Sequence, residues 1–318
     1  MKLTIGTRGS QLALWQTHHV RDLVQQHDPG IGIDIEVLRT TGDRITDVPL
    51  AQIGDRGLFT RELDRAVLDR VAHFAVHSLK DIPTVLPDGL TIAAVLERED
   101  PRDAFLAAPG RPGTLLDLPH GARVGTSSLR RRALLLDLRP DLRVEDLRGN
   151  LDTRIERLQN GDYDAAILAH AGIRRLGRTE VVNEVLSPPD WLPAAGQGAI
   201  AVVCRADDPA TCDVLRPLDH EATRAAVVAE RAFLRALEGG CQIPLGALAT
   251  VDGGTVTLHG FVAGVRSGRL VRERHEGTAG DPAAVRLALA AQLRAQGADA
   301  LLAEVRDTGD AAPAASAP

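Results

Sequence analysis

The chain of 318 residues is poor in aromatic residues, cysteine and lysine. Aromatic side chains make up only 3% of it, and lysine occurs only at Lys2 and Lys80. The three cysteines, Cys204, Cys212 and Cys241, form no CxxC pair and leave an odd thiol. This pattern argues against a disulfide framework and favours a reducing compartment.

Long apolar runs and an excess of positive charge are also lacking. No run of about eighteen apolar residues occurs, and the N-terminal residues predict a strand rather than a signal peptide, so we expect a cytoplasmic protein that contacts no membrane. The net charge of −6 argues against a nucleic-acid surface. With 44% hydrophobic and 25% charged residues, the composition is that of a globular protein of two or three domains.

The order of predicted elements indicates an α/β protein with a small α+β domain at its end. Residues 1–97 and 101–193 each alternate short β-rich runs with helical patterns, which is typical of βαβ units and a mainly parallel sheet. We assign 199–216 to domain 1 with 1–97, because GAIAVVCR predicts a strand returning to the first sheet, and 101–193 to domain 2. Domain 3, residues 220–307, has helices, three strand-like runs and a predicted last strand ALLAEVR, whereas 308–318 predicts a disordered tail.

Four predicted strands end in a loop that combines small polar residues with arginine or lysine. In open α/β sheets ligands bind at the carboxyl ends of strands, where helix N-termini present free N–H groups. Arginine adds planar clamps for carboxylate or phosphate, so the pattern predicts a polyanionic ligand. One such loop could be a helix cap beside a solvated charge, but four of one kind favour a binding site. They are Thr7–Ser10, Ser78–Asp81, Thr126–Arg131 and Arg148–Arg154.

Lys80 and Asp81 stand just after the apolar run Phe74–Val76, where a side chain leaving the strand would be partly desolvated. A carboxylate there can stabilise a developing cation or exchange protons with a leaving amine, which arginine cannot do. A surface ion pair ahead of Pro83 is the alternative that these residues alone leave open.

Two further patterns are similar to known motifs but lack their context. His73 and His77 are four residues apart, yet they stand in a predicted strand and lack the glutamate of a zinc-protease helix, so we expect no metal. Gly196-Gln197-Gly198 is similar to part of a dinucleotide fingerprint. It precedes a strand instead of following one, which favours a plain turn whose amides could still face a ligand.

Cys241 follows a predicted helix, with Gly239 and Gly240 as its stop signal. The negative end of the helix dipole disfavours a thiolate there, and no histidine or lysine is near in sequence, so a turnover nucleophile is not expected. A metal would need partner ligands at a usual spacing, and none is present. Two interpretations stay open, a structural loop thiol and a permanent covalent attachment point.

Seven segments, in order over about residues 3–305, resemble the porphobilinogen deaminase (hydroxymethylbilane synthase) family. They are GTRGSQLALWQ, VHSLKDIP, EREDPRDAF, VGTSSLRR, LRGNLDTR, PAAGQGA and EGGCQIPLG. The resemblance implies an α/β fold of two lobes like those of periplasmic binding proteins, with the site in the cleft between them. It also implies a small C-terminal α+β domain that carries the cysteine, and a monomer.

The resemblance further implies a transferase of tetrapyrrole (haem and porphyrin) biosynthesis. The family condenses four porphobilinogen molecules head to tail, releases ammonia at each step and hydrolyses the product to hydroxymethylbilane. Its primer is a dipyrromethane cofactor made from substrate. Each pyrrole carries an acetate and a propionate, so the growing chain is the polyanion that the arginine loops predict.

Individual roles follow from the resemblance by position. Cys241 would hold dipyrromethane through a thioether, and Asp81 would be the catalytic carboxylate, in contact with the cofactor. The remaining cofactor ligands would be Lys80, Ser128, Arg130 and Arg131, and the substrate ligands would be Arg8, Ser10, Arg148, Arg154, Arg175 and Phe59, the last also covering the cofactor. Many members have lysine where this chain has Gln52 and Arg56, so carboxylate contacts from that loop are weakened.

Three other functions compete with this assignment. A two-lobed protein that binds a dicarboxylate without chemistry would have the lobes and arginine loops, but it would be exported and would lack domain 3. An enzyme that forms a Schiff base on Lys80 would need a phosphate-binding cup and a partner for a pyridine nitrogen, which are not evident. A thiol hydrolase centred on Cys241 conflicts with the electrostatics of its helix end.

Overall fold

The computed structural model describes residues 1–44, 57, 59–111, 113–237, 243–278 and 281–309. These residues form two five-stranded sheets, one three-stranded sheet and the helices that cover them. The fold is α/β, with two lobes that are each built on one five-stranded sheet and a small C-terminal α+β region. None of the helices in the described ranges has the length and apolar character to cross a membrane.

The first lobe is built on one five-stranded sheet. Its strands are β1 (Lys2–Arg8), β2 (Gly32–Leu38), β3 (Phe74–Ser78), β4 (Leu90–Val95) and β10 (Ile200–Arg205), in the order β2-β1-β3-β10-β4. β1 is parallel to β2 and β3, whereas β10 runs antiparallel between β3 and β4. The prediction that the chain returns to the first sheet after the second lobe is therefore confirmed. The helices are α1 (Gln11–His27), α2 (Thr41–Arg44), α3 (Arg61–Leu68) and α7 (Pro209–Leu215).

The second lobe repeats this topology with other residues. Its strands are β5 (Asp103–Ala107), β6 (Arg123–Gly125), β7 (Arg143–Glu145), β8 (Ala165–Ala169) and β9 (Glu184–Leu186), in the order β7-β6-β8-β5-β9. β6 is parallel to β7 and β8, and β5 is the antiparallel strand. Its helices are α4 (Leu129–Leu138), α5 (Leu151–Gln159) and α6 (His170–Arg175). Both sheets are mainly parallel, as the sequence predicts.

The C-terminal unit packs helices against an antiparallel sheet. Its strands are β11 (Leu245–Asp252), β12 (Thr255–Ala263) and β13 (Leu270–Thr278), and its helices are α8 (Glu221–Ala236), α9 (Pro282–Ala295) and α10 (Ala298–Gly309). The prediction of a last strand in ALLAEVR is wrong, because these residues belong to α10. Ala298, Leu301 and Leu302 are buried, and this i, i+3, i+4 spacing is that of a helix face. A short apolar run does not distinguish the two structures.

The predicted domain boundaries stay a prediction, although the three sheets follow the same division of the chain. α10 includes residues 308 and 309 of the predicted tail, and residues 310–318 lie outside the described residues.

One buried carboxylate joins the C-terminal unit to the two segments that connect the lobes. Glu230, on α8, is fully buried and pairs with Arg98 through both oxygens, at 2.6 and 3.1 Å. It also accepts the backbone N–H of Gly196 at 2.7 Å, just before β10, and that of Ala249 on β11 at 2.8 Å. Arg98 donates in addition to the carbonyl of Gln197 at 2.8 Å. Because a buried charge is tolerated only when it is paired and hydrogen-bonded, this junction holds the interlobe segments in place.

Candidate active site

The carboxyl ends of β1 and β3 form one wall of a cleft. β1 ends at Arg8 and its parallel neighbour β3 ends at Ser78, so the following loops open on the same edge of the sheet. Ser10 caps α1, since its Oγ accepts the N–H of Ala13 at 3.3 Å. A single 3₁₀ turn, Leu79–Asp81, follows β3. Together these segments line a small pocket, partly open to solvent, whose other wall residues include Gln16, Phe59 and His77.

Phe59 lies against the first arginine of this wall. The guanidinium carbon of Arg8 is 4.5 Å from the centroid of the Phe59 ring, which is the geometry of a cation–π contact. Both residues line the pocket, together with Ser10 and Asp81. Gln52 and Arg56, which precede Phe59 in the chain, lie outside the described residues.

Lys80 connects this wall to the segment between the lobes. Its Nζ donates to Oε1 of Gln197 at 3.2 Å. Burial lowers the pKa of Lys80 to about 8, with Arg131 and Arg130 acting in the same direction and the carboxylates of Asp81 and Asp103 opposing them. The ammonium group is thus a desolvated cation beside Asp81, in reach of charges from both lobes.

Gln197 accepts the hydrogen bond from Lys80. The sequence predicted only a plain turn at this residue. The turn is confirmed, with positive φ at Gly198, where a Cβ atom would overlap the carbonyl oxygen of Glu99. The buried side chain of Gln197, however, donates to Asp103 Oδ1 at 2.9 Å and to the carbonyl of Pro101 at 2.7 Å. Gln197 therefore links Lys80 to a carboxylate of the second lobe.

Asp103 is the centre of a fully buried ion cluster. Arg130 Nη1 lies 2.8 Å from one of its oxygens and Arg131 Nη2 lies 2.7 Å from the other. The indole N–H of Trp191 donates to it at 2.8 Å. The two guanidinium groups hold the pKa of Asp103 far below its usual range, against the opposing effect of burial. Arg130 and Arg131 also donate to the carbonyls of Leu192 and Ile167, so they are structural side chains whatever else they bind.

The second lobe contributes further cations and one helix cap. Arg154 donates through Nε to the carbonyl of Gly149 at 2.8 Å. Burial lowers the pKa of Arg154 to about 10, with the cations of Arg131 and Arg148 adding to that effect and Asp81 opposing it. Arg154 is therefore electrostatically coupled to Asp81 and to its neighbouring cation Arg148. Ser128 caps α4, because its Oγ accepts the N–H of Arg131 at 3.4 Å.

Arg175, on α6, crosses between the lobes. Its Nη2 donates to the carbonyl of Gly198 at 2.6 Å, and its guanidinium carbon is 5.8 Å from the ring centroid of Trp15 on α1. Burial lowers its pKa to about 10, while Glu99 opposes the shift. Lys80, Arg154 and Arg175 are thus all desolvated cations. A site in which burial disfavours several positive charges is suited to an anionic ligand, which would restore the lost favourable interactions.

The two histidines of the HFAVH run have different surroundings. His73 accepts the backbone N–H of Thr4 on Nδ1 at 3.0 Å, so it supports the pairing of β1 with β3. His77 faces the pocket. Within the described ranges, no group of three or more histidine, cysteine, aspartate or glutamate side chains has the arrangement needed for a metal ion.

Cys241 lies outside the described residues, as do residues 238–240 and 242. The described segments on either side of this gap are α8 and β11. β11 contacts the interlobe segment, since the N–H of Ala247 donates to the carbonyl of Pro193 at 3.1 Å. The other thiols, Cys204 and Cys212, have their sulfur atoms 3.2 Å apart in the first lobe.

Comparison with known proteins places the chain among one group of enzymes. Residues 3–213 match the family model described as porphobilinogen deaminase, dipyrromethane cofactor binding domain, and residues 224–295 match that of the porphobilinogen deaminase C-terminal domain. The porphobilinogen deaminase of Roseiflexus castenholzii is 52% identical over 301 residues, covering 95% of this chain and 98% of the relative. That of Nitratidesulfovibrio vulgaris (strain Miyazaki F) is 49% identical over 315 residues, covering 98% and 99%.

Two of the solved structures that match are distant relatives in sequence. The methionine binding protein MetQ has a TM-score of 0.44 and 12% identity, covering 73% of this chain and 93% of its own. The VFT2 domain of Bordetella pertussis BvgS has a TM-score of 0.42 and 14% identity, covering 68% and 85%.

Proposed function

The chain belongs to the porphobilinogen deaminase family. We propose that separate residues of the cleft bind the cofactor, bind the substrate and catalyse the reaction of that family. The protein is a transferase of tetrapyrrole biosynthesis that joins porphobilinogen units head to tail and yields hydroxymethylbilane. Its first 213 residues include a dipyrromethane cofactor-binding domain. Membership excludes the alternative of a binding protein without chemistry. The assignment of residues to steps is the proposal, and the observation that carries it is the set of desolvated cations around Asp81.

The cofactor set comprises residues from both lobes. Dipyrromethane carries two acetates and two propionates, and a thioether to Cys241 would anchor it permanently. Lys80 and Ser128 would bind its carboxylates. Arg130 and Arg131 pair with Asp103, and their other N–H groups would add to the binding of these carboxylates. The lowered pKa of Lys80 fits this role, since a carboxylate would favour its charged form. When bound, the group supplies the primer to which the first unit is added.

The substrate set surrounds the same carboxylate. Arg8, Ser10 and Phe59 line the pocket of the first lobe beside Asp81. Arg148, Arg154 and Arg175 would bind carboxylates from the second lobe, where bidentate guanidinium contacts fix both position and orientation. The substrate would therefore lie between the lobes, with its charged groups held apart from the reacting carbon.

Asp81 is the carboxylate that we assign to catalysis. It lines the pocket at the end of the 3₁₀ turn and opposes the pKa shifts of both Lys80 and Arg154. Loss of ammonia leaves positive charge on the pyrrole, which a fixed carboxylate stabilises electrostatically. Asp81 would also accept or return a proton at the pyrrole nitrogen and at the leaving amine. A cytoplasmic location remains part of this proposal, supported by the sparse cysteines, as does the monomeric state that membership of the family suggests.

Cofactor attachment is tested by the intact mass of the denatured protein. We expect an excess over the sequence mass, 33.9 kDa, equal to one dipyrromethane, since a thioether survives denaturation. Cys241→Ala should remove both the excess and the activity with porphobilinogen. Cys204→Ser and Cys212→Ser are matched controls that should keep the excess, because these thiols lie in the first lobe, Cys204 in its core and Cys212 half-buried on α7. A bare sequence mass in protein that is active with porphobilinogen would contradict the assignment.

The role of Arg148 is tested through the products that stay bound. Arg148→Leu should slow the addition of the later porphobilinogen units by roughly 10- to 100-fold, because the loss of one hydrogen bond to a charged group has an effect of this size. Enzyme carrying partly elongated chains should then accumulate, and native mass spectrometry would resolve these species. Arg143→Leu, an exposed arginine on the same strand region, should leave the distribution of bound species unchanged. If Arg148→Leu matched that control, Arg148 would be a structural residue only.

A further inference from the structure

One polar group of the pocket wall has no role in the assignments above. His77 stands on β3, one residue before the strand ends and four residues before Asp81. Only 6% of the residue is exposed, and it lines the pocket with Arg8 and Ser10. Within the part of the chain that the structure describes, its buried Nε2 atom has no hydrogen-bond partner. Most buried polar side-chain atoms are hydrogen-bonded, so an exception at a ligand pocket points to the ligand.

The protonation state of His77 restricts what the ring can do. Burial, aided by the cation of Arg8, lowers its pKa to about 4. The imidazole is therefore neutral near pH 7, with one N–H donor and one nitrogen acceptor. A neutral ring does not deliver a proton as a general acid, and a pKa so far below 7 makes it a weak general base, so its chemistry in the pocket is that of a hydrogen-bonding group.

The neighbours of His77 select the type of ligand group. Arg8 and the cap residue Ser10 stand on the same wall, and the pocket lies at the N-terminus of α1, a helix of 17 residues. A guanidinium group and the positive end of a helix dipole both favour an anion. An N–H donor on Nε2 would complete such a site, whereas a lone pair there would face the anion unfavourably. The arrangement thus suits a carboxylate.

We propose that His77 is a substrate-binding residue whose Nε2–H donates a hydrogen bond to a carboxylate of the porphobilinogen unit held beside Arg8. The proposal rests on the proposed function, since it names a further contact within that site. It also explains why an imidazole is kept in a buried position where an apolar side chain would cost less folding free energy.

Two substitutions separate binding from packing. His77→Met is similar in length and removes the donor, whereas His77→Gln places an amide N–H at a comparable reach. We expect His77→Met to raise the KM for porphobilinogen by roughly 10- to 100-fold with kcat changed less than about threefold, because the lost contact is to a charged group. His77→Gln should recover most of the affinity. The melting temperature of His77→Met should equal or exceed that of the wild type, since an unsatisfied buried group has been removed.

His73→Met is the matched control, because its ring sits on the same run and supports strand pairing through Thr4. It should lower the melting temperature and leave KM unchanged. An unchanged KM in His77→Met, equal KM values in His77→Met and His77→Gln, or a lower melting temperature or insolubility in His77→Met would each overturn the proposal. The intact mass of every variant should show the dipyrromethane excess. An excess missing from the wild type as well would instead count against the proposed function.

Discussion

Asp81→Asn should reduce kcat with porphobilinogen by roughly 10²- to 10⁴-fold, the usual contribution of a positioned proton-transfer group. The amide has nearly the shape of the carboxylate but neither its charge nor its basicity. Positive charge on the pyrrole would lose its fixed counter-charge, and the leaving amine would lose its proton-transfer partner. Single-turnover release of ammonia measures this step without interference from later additions. The fold should persist, because Asp81 stands in the partly exposed pocket wall and not in the core.

Two controls separate this effect from a general loss of negative charge. Asp88→Asn removes an exposed carboxylate from the same loop and should leave kcat unchanged. Asp81→Glu keeps the carboxylate but moves it by one methylene, so it should retain part of the activity. If Asp81→Asn released ammonia at the wild-type rate, Asp81 would have no catalytic role, and the charge around Lys80 would need another explanation.

The convergence of the site residues could be predicted because it depends on strand order alone. Parallel neighbours end at one edge of a sheet, so loops after β1 and β3 must meet there, and Arg8, Ser10 and Asp81 share one pocket. The repeated small-polar-plus-basic pattern then indicated the charge of the ligand. The alternation of strands and helices predicted this convergence, because parallel strands place their carboxyl ends at one edge of a sheet.

The partners of the arginines could not be predicted in this way. Arg130 and Arg131 have the same local pattern as Arg8, yet both are buried against Asp103, about thirty positions earlier in the chain. Nothing in their own segment indicates that partner, since ion pairs of this kind form only when sheet strands are assembled. Gln197 is a similar case, because its role depends on Lys80 and Asp103, each far away in sequence.

The second large effect concerns stability. Asp103→Asn should destabilise the second lobe by about 3–5 kcal/mol, because removal of one partner leaves buried charges without compensation. Two guanidinium groups, of Arg130 and Arg131, would remain in a site that is almost closed to water. Asp162→Asn is a matched control, since the ion pair with Arg157 is 40% and 44% exposed and should contribute less than about 1 kcal/mol.

Tryptophan fluorescence measures this loss in the lobe where it arises. The chain has two tryptophans, and Trp15→Phe leaves only Trp191, whose indole donates to Asp103. Denaturant unfolding in that background should move to a lower midpoint for Asp103→Asn with an unchanged slope, which indicates a loss of stability without a change in the surface exposed. A loss no larger than that of Asp162→Asn would mean that the two guanidinium groups find other partners. Because Gln197 ties Asp103 to Lys80, the same variant should also loosen the cofactor set, so its activity should fall at temperatures well below unfolding.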